Sequence, residues 1–450
     1  MMNYENRRFT RRQFIHWAAL SSAGFWLGCQ SSAVTARRRV SANERLNIGV
    51  VGVAHRGGAN LSGVSGENIV ALCDVDDTLL RAAAEKFPQA KTYNDFRRML
   101  DRKDLDAVVC STADHTHAVI SVMALKGGRH VYCEKPLTRT VSECRIVRET
   151  ARKGKLVTQM GTQIHAGTNY RRAVELIQSG AIGPVAEVHV WVNVKYGGME
   201  HPSDTPPVPP NLHWDLWLGP VAERPYHPDY LPGKWRNWWA FGTGGLGDFG
   251  CHYMDLPHWA LGLRYCSSVE VVDGPPVHPE TVPPWLILRY DYPARGAQPP
   301  VKLMWYHGGR QPEILASVLP EEKAASKKND KKKASWQSGV LFVGKKGMLL
   351  ANYSQHVLLP QQKFAGFEPP RPFIPDSIGH HKEWIEACKT GAMTTCNFDY
   401  SGALAETVLL GNVAYRTGRK LEWDPAALRA RNCPEANQFI QHHYRKGWRL

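Results

Sequence analysis

The chain has 450 residues, more than a single hydrophobic core usually organises, so two domains are expected. Charged residues at 22% and hydrophobic residues at 43% are the proportions of an ordinary soluble enzyme. The net charge of +15 would suit a nucleic-acid binder, but residues 1–39 hold seven arginines against Glu5, and residues 321–335 hold six lysines against three acids. No helical pattern carries a one-sided basic face, so nucleic acid is not an expected partner.

Thr10-Arg11-Arg12-Gln13-Phe14-Ile15 precedes a short apolar run over 17–28. Paired arginines ahead of such a run resemble a twin-arginine export signal, and the run is shorter than the ~20 residues a spanning helix needs. Residues 1–40 are therefore expected to be an address and linker, and the mature chain to be periplasmic with no spanning segment. Leu27-Gly28-Cys29 loosely matches a lipoprotein cleavage site that would leave Cys29 lipidated, although Trp26 departs from that pattern; cleavage near Ala33 is the alternative. The ten cysteines show no close metal-ligand spacing, and Cys73, Cys110 and Cys133 fall in strand-like runs, so no metal site or dense disulfide framework is expected.

From Leu46 onward, short apolar runs at 46–53, 69–73, 107–110, 130–133 and 156–160 alternate with helical patterns such as 77–86 and 117–126. Such alternation predicts βαβ units and a doubly wound parallel sheet. The first strand runs into Gly52-Val53-Ala54-His55-Arg56-Gly57, which is G-x-G-x-x-G except that Ala54 stands at the middle glycine. That glycine lets backbone approach a pyrophosphate, so the methyl group of Ala54 is expected to shift or weaken the contact. Asp74 ends the next strand about 20 residues on, where an acid accepts from adenosine ribose hydroxyls and repels a 2′-phosphate, favouring NAD over NADP.

Ser111-Thr112-Ala113-Asp114-His115-Thr116-His117 follows a further strand at the same sheet edge. It is expected to line the cofactor, with Thr112, Asp114 and His117 as candidates; the plain alternative is a helix cap by Thr112 or Asp114 beside two exposed histidines. The run Val131-Tyr132-Cys133 then stops at Glu134-Lys135-Pro136. Proline cannot continue the ladder, so the charged pair lands at the carboxyl end of a strand, where open α/β sheets bind ligands. A lysine there can polarise a substrate oxygen, with Glu134 beside it holding the charge in place; a strand-end ion pair is the alternative.

Beyond a helical pattern at 170–177 and a strand at 185–194, residues 197–245 are crowded with proline, glycine and rings, among them Trp214, Trp217, Trp235, Trp238 and Trp239. Such rings can stack on sugar C–H faces or simply fill a core. In Gly247-Asp248-Phe249-Gly250-Cys251-His252, a helix would set Asp248 and His252 on one face, either a carboxylate-supported general base or a stabilising pair. Strand-like runs at 268–272, 285–292, 301–306, 340–343 and 348–350 follow, then helical patterns at 376–389 and 400–416 with Gly418 as a C-cap.

The order of the Gly52 turn, Asp74, the loop 112–117, Glu134-Lys135-Pro136 and Asp248-x-x-x-His252 resembles the glucose-fructose oxidoreductase and inositol dehydrogenase (Gfo/Idh/MocA) family over nearly everything after residue 44. The resemblance implies an N-terminal Rossmann domain at 44–165 and an α+β domain at 166–450 with a large, mostly antiparallel open-faced sheet, into which the lysine-rich 321–335 is inserted. It also implies NAD contacts at Gly52, Ala54, Arg56, Gly57, Asp74, Thr112, Asp114, His117, Glu134 and Lys135. Lys135 would lie beside nicotinamide and the substrate hydroxyl, His252 would be the base and Asp248 its partner. Apart from the resemblance, Asp255 is expected to be structural and Arg236 or Asn237 to touch substrate. The expected protein is an exported, homo-oligomeric NAD-dependent oxidoreductase acting on a secondary alcohol of a sugar, polyol or glycoside. A glycosidase using NAD transiently and a non-catalytic sugar-binding protein are the rival readings.

Overall fold

A computed structural model describes residue 41 and residues 43–319 and 336–450. The expected export segment, Cys29, Ala33 and the lysine-rich 321–335 lie outside them.

The first sheet holds six strands: β1 (Asn47–Val51), β2 (Asn68–Cys73), β3 (Lys91–Tyr93), β4 (Ala107–Cys110), β5 (His130–Cys133) and β6 (Thr158–Met160). Their order is β3-β2-β1-β4-β5-β6 and every pairing is parallel. The order reverses between β1 and β4, so the crevice beyond their carboxyl ends is the natural ligand site of a doubly wound sheet. β4 and β5 are buried at every position because helices cover both faces, which is why these strands read as unbroken apolar runs. The sequence missed β3, which is three residues long and begins with two exposed side chains, too little to leave a period.

The second sheet comprises β7 (Val185–Val192), β8 (Ser268–Asp273), β9 (Leu286–Tyr292), β10 (Val301–His307), β11 (Gly339–Gly344), β12 (Gly347–Ala351), β13 (His356–Leu359), β14 (Leu421–Asp424) and β15 (Arg429–Ala430). Its order is β13-β12-β11-β7-β10-β9-β8-β14-β15, antiparallel except where β7 meets β10. Along β9 and the first four residues of β10, buried and half-buried residues alternate, the mark of a sheet packed mainly on one face, while the last three residues of β10 are all buried.

The helix Phe398–Thr417 joins the two halves. Asn397 caps its start by accepting from the N–H groups of Asp399 and Tyr400, and Gly418 ends it at φ +63°. It packs against the helices Val141–Gly154 and Gly244–Tyr253 and against β8. Its approach to the second sheet is so close that a Cβ at Gly411 would sit 2.2 Å from the Tyr290 hydroxyl. Glu406, buried in this helix, takes a two-pronged hydrogen bond from Arg145 (2.9 and 3.1 Å), which ties the helix to the first sheet's covering layer.

Candidate active site

At the end of β1, Gly52 turns at φ +81°, and a Cβ there would lie 2.6 Å from the Ser111 carbonyl oxygen. A Cβ on Gly57 would lie 2.0 Å from the Gly52 carbonyl oxygen, so only glycine lets the helix Arg56–Gly63 meet the turn backbone to backbone. No side chain caps that helix, leaving its positive end open over the turn. Asp74 closes the arrangement: its Oδ2 accepts from the Val53 N–H at 3.0 Å and its Oδ1 from the Asp76 N–H at 3.1 Å. Burial raises its pKa while those backbone donors pull it back, and its oxygens keep lone pairs for ribose hydroxyls. A close glycine turn, an uncapped helix start and a strand-end carboxylate are the parts that hold a dinucleotide's pyrophosphate and adenosine ribose. Ala54 sits half-buried within the turn and His55 holds φ +52°, so this turn departs from an all-glycine form at two adjacent positions.

Glu134 and Lys135 do not form a pair through their side chains, contrary to the expectation that Glu134 steadies the lysine. The buried Glu134 Oε1 instead accepts from Arg56 Nε (3.0 Å), Asn60 Nδ2 (2.9 Å) and Gln163 Nε2 (2.9 Å). This carboxylate therefore locks the helix after the glycine turn to β5 and to the segment after β6. The Lys135 ammonium reaches the other way, donating to Asp248 Oδ1 at 2.5 Å and to the Asp248 carbonyl at 2.9 Å.

Asp248 and His252 share the helix Gly244–Tyr253, as their spacing implies. The expected carboxylate–imidazole bond is not what the structure shows. Asp248 Oδ1 is taken by Lys135 and by Arg236 Nε (3.1 Å), and Oδ2 accepts from the Tyr196 hydroxyl (2.9 Å). His252 Nδ1 is buried with no hydrogen-bond partner. Two cations outcompete a neutral imidazole for one carboxylate because the attraction between opposite charges is strong away from water. Burial alone would push the Asp248 pKa up; Lys135 and Arg236 override it and hold the carboxyl well below its usual range. Burial, then the Lys135 charge, keeps His252 neutral against the pull of Asp248.

Arg236 is thus a partner of Asp248. Asn237 is a brace: its Oδ1 accepts from the Gly197 N–H at 2.7 Å, fixing the loop that carries Tyr196. Sequence reading passed over Tyr196, whose signal was its position just past the end of β7. Asp255 is buried and holds His165 Nδ1 (2.9 Å) and the Tyr400 hydroxyl (2.7 Å), the structural role expected of it.

In the loop 112–117 both histidines are buried rather than exposed, and no side chain caps the helix Asp114–Lys126. His115 Nε2 meets the Trp217 carbonyl at 2.8 Å, and His117 Nδ1 and Nε2 meet the carbonyls of Pro136 (2.8 Å) and Thr112 (3.1 Å). His117 hence braces the Thr112 turn against the lysine loop, and the expectation that it contacts cofactor is corrected. The ligating atoms of Cys110, His117 and Cys133 lie within 4.8 Å of one another, but both ring nitrogens of His117 are committed to carbonyls. Asp114 is buried with Oδ2 accepting from Thr243 Oγ1 (2.6 Å) and Oδ1 unpartnered; burial raises its pKa to about 6. Of the tryptophans, Trp217 and Trp238 are buried with Tyr230 and Phe241 in a small core of their own, and Trp239 is buried too, so stacking on a sugar is not available to these three.

Comparison with known proteins gives matches over the first sheet and over the β7–β9 part of the second. Residues 46–162 match the Gfo/Idh/MocA oxidoreductase family's NAD-binding Rossmann fold, and residues 168–298 match its C-terminal alpha/beta domain. Inositol 2-dehydrogenase of Salmonella typhimurium is 33% identical over 150 residues, 32% of this chain and 45% of that protein. Glycosyl hydrolase family 109 protein 1 of Shewanella sp. (strain ANA-3) is 26% identical over 289 residues, 57% of this chain and 56% of that one. The chain thus spans about half the length of the curated relatives it matches. Among solved structures, the WlbA dehydrogenase from Chromobacterium violaceum, in complex with NADH and UDP-GlcNAcA, aligns with a TM-score of 0.59 at 16% identity, covering 86% of this chain and 99% of that one. Levoglucosan dehydrogenase in complex with NADH and levoglucosan aligns with a TM-score of 0.54 at 17% identity, covering 84% of this chain and 99% of that one. Identities this low speak for the shared fold alone.

Proposed function

The chain belongs to the Gfo/Idh/MocA oxidoreductase family, with residues 46–162 forming its NAD-binding Rossmann fold, and from that premise we propose that it moves hydride between nicotinamide and a secondary alcohol of a sugar, polyol or glycoside. The observation that carries this reading is the meeting of Lys135, from the carboxyl end of β5, with Asp248 on the helix that also bears His252. Bound NAD supplies the hydride acceptor; the protein supplies position and proton handling.

An ammonium has three donors. Asp248 takes two of the three on Lys135 through its carboxylate and its own carbonyl, which leaves one to point at a substrate oxygen. That donor stabilises charge growing on the oxygen as its proton leaves. His252, held neutral, is the acceptor for that proton, and its Nδ1 is sealed, so Nε2 is the nitrogen that reaches a ligand. Arg236 and Tyr196 keep the Asp248 carboxylate fixed, and the fixed carboxylate keeps Lys135 aimed. Asp74 at the ribose end favours NAD over NADP because a second negative group would face a carboxylate.

The match to a family 109 glycosyl hydrolase over more than half the chain supports a second reading, in which oxidation is transient and a glycosidic bond is cleaved. The twin-arginine pattern at 10–28 supports export with NAD already gripped, since NAD must then be loaded beforehand and regenerated in place. The test is mass spectrometry of nucleotide released from purified protein, followed by absorbance at the reduced-nicotinamide band on adding candidate sugars and aryl glycosides. Reduction of NAD by a free sugar supports the dehydrogenase; glycoside cleavage without net NADH selects the second reading; protein that neither carries nor binds NAD defeats both.

A further inference from the structure

Away from the Lys135–Asp248 centre, a cavity of about 240 Å³ opens between Arg139, Arg224, Trp239, Glu280, Arg416 and Phe439. Its charges do not balance. Arg224 Nη1 pairs with Glu280 Oε2 at 3.1 Å, while Arg139 and Arg416 form no ion pair among the described residues. Arg416 lies over the Phe439 ring at 4.0 Å and the Trp239 ring at 5.0 Å, held by aromatic faces instead of by an acid. Arg139 donates from Nη1 to the Trp239 carbonyl at 2.8 Å, yet its Nε and Nη2 are sealed from solvent with no partner. Arg224 Nε is sealed and unpartnered as well, and Thr140, also on the lining, caps the 14-residue helix Val141–Gly154. That helix start is closed by a capping box, the Thr140 side chain accepting from the Glu143 N–H and Glu143 Oε2 from the Thr140 N–H at 2.9 Å, so the charge of the cavity rests on its arginines.

We propose that this cavity binds a small oxyanion of the phosphate class, free or carried on a small molecule. A guanidinium presents a planar fork of donors that matches two oxygens of such a group, and three arginines line this cavity against the one carboxylate of its lining, Glu280. An anion would neutralise the charge that Glu280 leaves uncompensated. The like charge of Arg139 reinforces burial in lowering the Arg416 pKa to about 10, a cost that an anion between the two relieves. The site needs no cofactor and stands whether or not the proposed reaction is correct.

The test uses the full chain with saturating NAD, so that the glycine turn cannot answer for the cavity, and again without NAD. Thermal unfolding is followed against inorganic phosphate and against glycerol 3-phosphate, each matched in ionic strength by chloride. A saturable rise in Tm of about 3 °C at a probe concentration near 100 times Kd is expected, lost in Arg416→Gln and in Arg139→Gln. Tighter saturation by glycerol 3-phosphate assigns a phosphoryl group on a small molecule, and equal or tighter saturation by phosphate assigns the free ion. Should either variant fail to fold, the wild type decides: phosphate must slow modification of Arg416 by an arginine-selective dicarbonyl, mapped by mass spectrometry. No saturable shift beyond chloride, a shift unchanged in both variants, or no protection of Arg416 overturns the proposal.

Discussion

Replacing Asp248 with asparagine keeps the side chain's size and an oxygen for the Tyr196 hydroxyl but removes the carboxylate charge that Lys135 and Arg236 share. The pair is sheltered, with 13% of the Lys135 and 8% of the Asp248 side chain exposed, so solvent screens it little. Breaking a buried pair by removing one partner costs about 3–5 kcal/mol, because the remaining charge stays desolvated. With roughly 400 ordered residues at about 2.1 cal/mol/K each, the unfolding entropy near 60 °C is about 0.8 kcal/mol/K. A loss of about 4 kcal/mol then lowers Tm by about 5 °C. The pH dependence has a definite sign. Asp248 is held below the usual carboxylate range in the fold, so its contribution is complete above the unfolded pKa of about 3.9 and is lost as pH falls toward the folded value. Calorimetry of wild type and Asp248→Asn should therefore show a constant gap from pH 5 to 8 that narrows below about pH 4. A variant as stable as wild type at pH 7, or a gap indifferent to acid, refutes the counterion assignment.

Lys135→Ala and His252→Ala should each lower turnover about 100-fold or more while NAD affinity, read by fluorescence titration, stays within a few-fold; near-normal rates in both end the proposed division of labour. Asp74→Ala removes both the proposed ribose acceptor and the partner of the Val53 N–H, so NAD binding should weaken about tenfold or more and the expected preference over NADP should shrink; an unchanged NAD:NADP ratio of dissociation constants refutes the role. Asp114, buried with a pKa raised from 3.8 to about 6, penalises the fold as pH rises through that window, by about 3 kcal/mol in all. Asp114→Asn keeps an acceptor for Thr243 and should melt about 3 °C higher than wild type at pH 7.5, with the difference vanishing near pH 4; a lower melting temperature at pH 7.5 contradicts this.

The strands β4 and β5 and the helix Phe398–Thr417 were legible because their signals are local: a fully buried parallel strand is an apolar run, and a helix ends where Gly418 supplies a left-handed residue. The Gly52 turn was legible for the same reason, since its conformation excludes other residues whatever surrounds it. β3 and β15 escaped notice because two or three residues carry no period. The buried state of His115 and His117 escaped because the carbonyl oxygens of Trp217 and Pro136, distant in sequence, help to satisfy them, and no pattern of neighbours encodes that.

Which residues carry charge, which turns demand glycine and which stretches bury both faces are properties of the chain alone, because each depends on a side chain's own chemistry or on neighbours a few positions away. Who pairs with whom is not. Glu134 stands next to Lys135 in sequence yet binds Arg56, Asn60 and Gln163, and Asp248 shares a helical face with His252 yet binds Lys135, Arg236 and Tyr196. Only the packed molecule decides such contests, since the strength of an ion pair depends on the water excluded around it, and that exclusion exists only once the two sheets and the helix between them have come together.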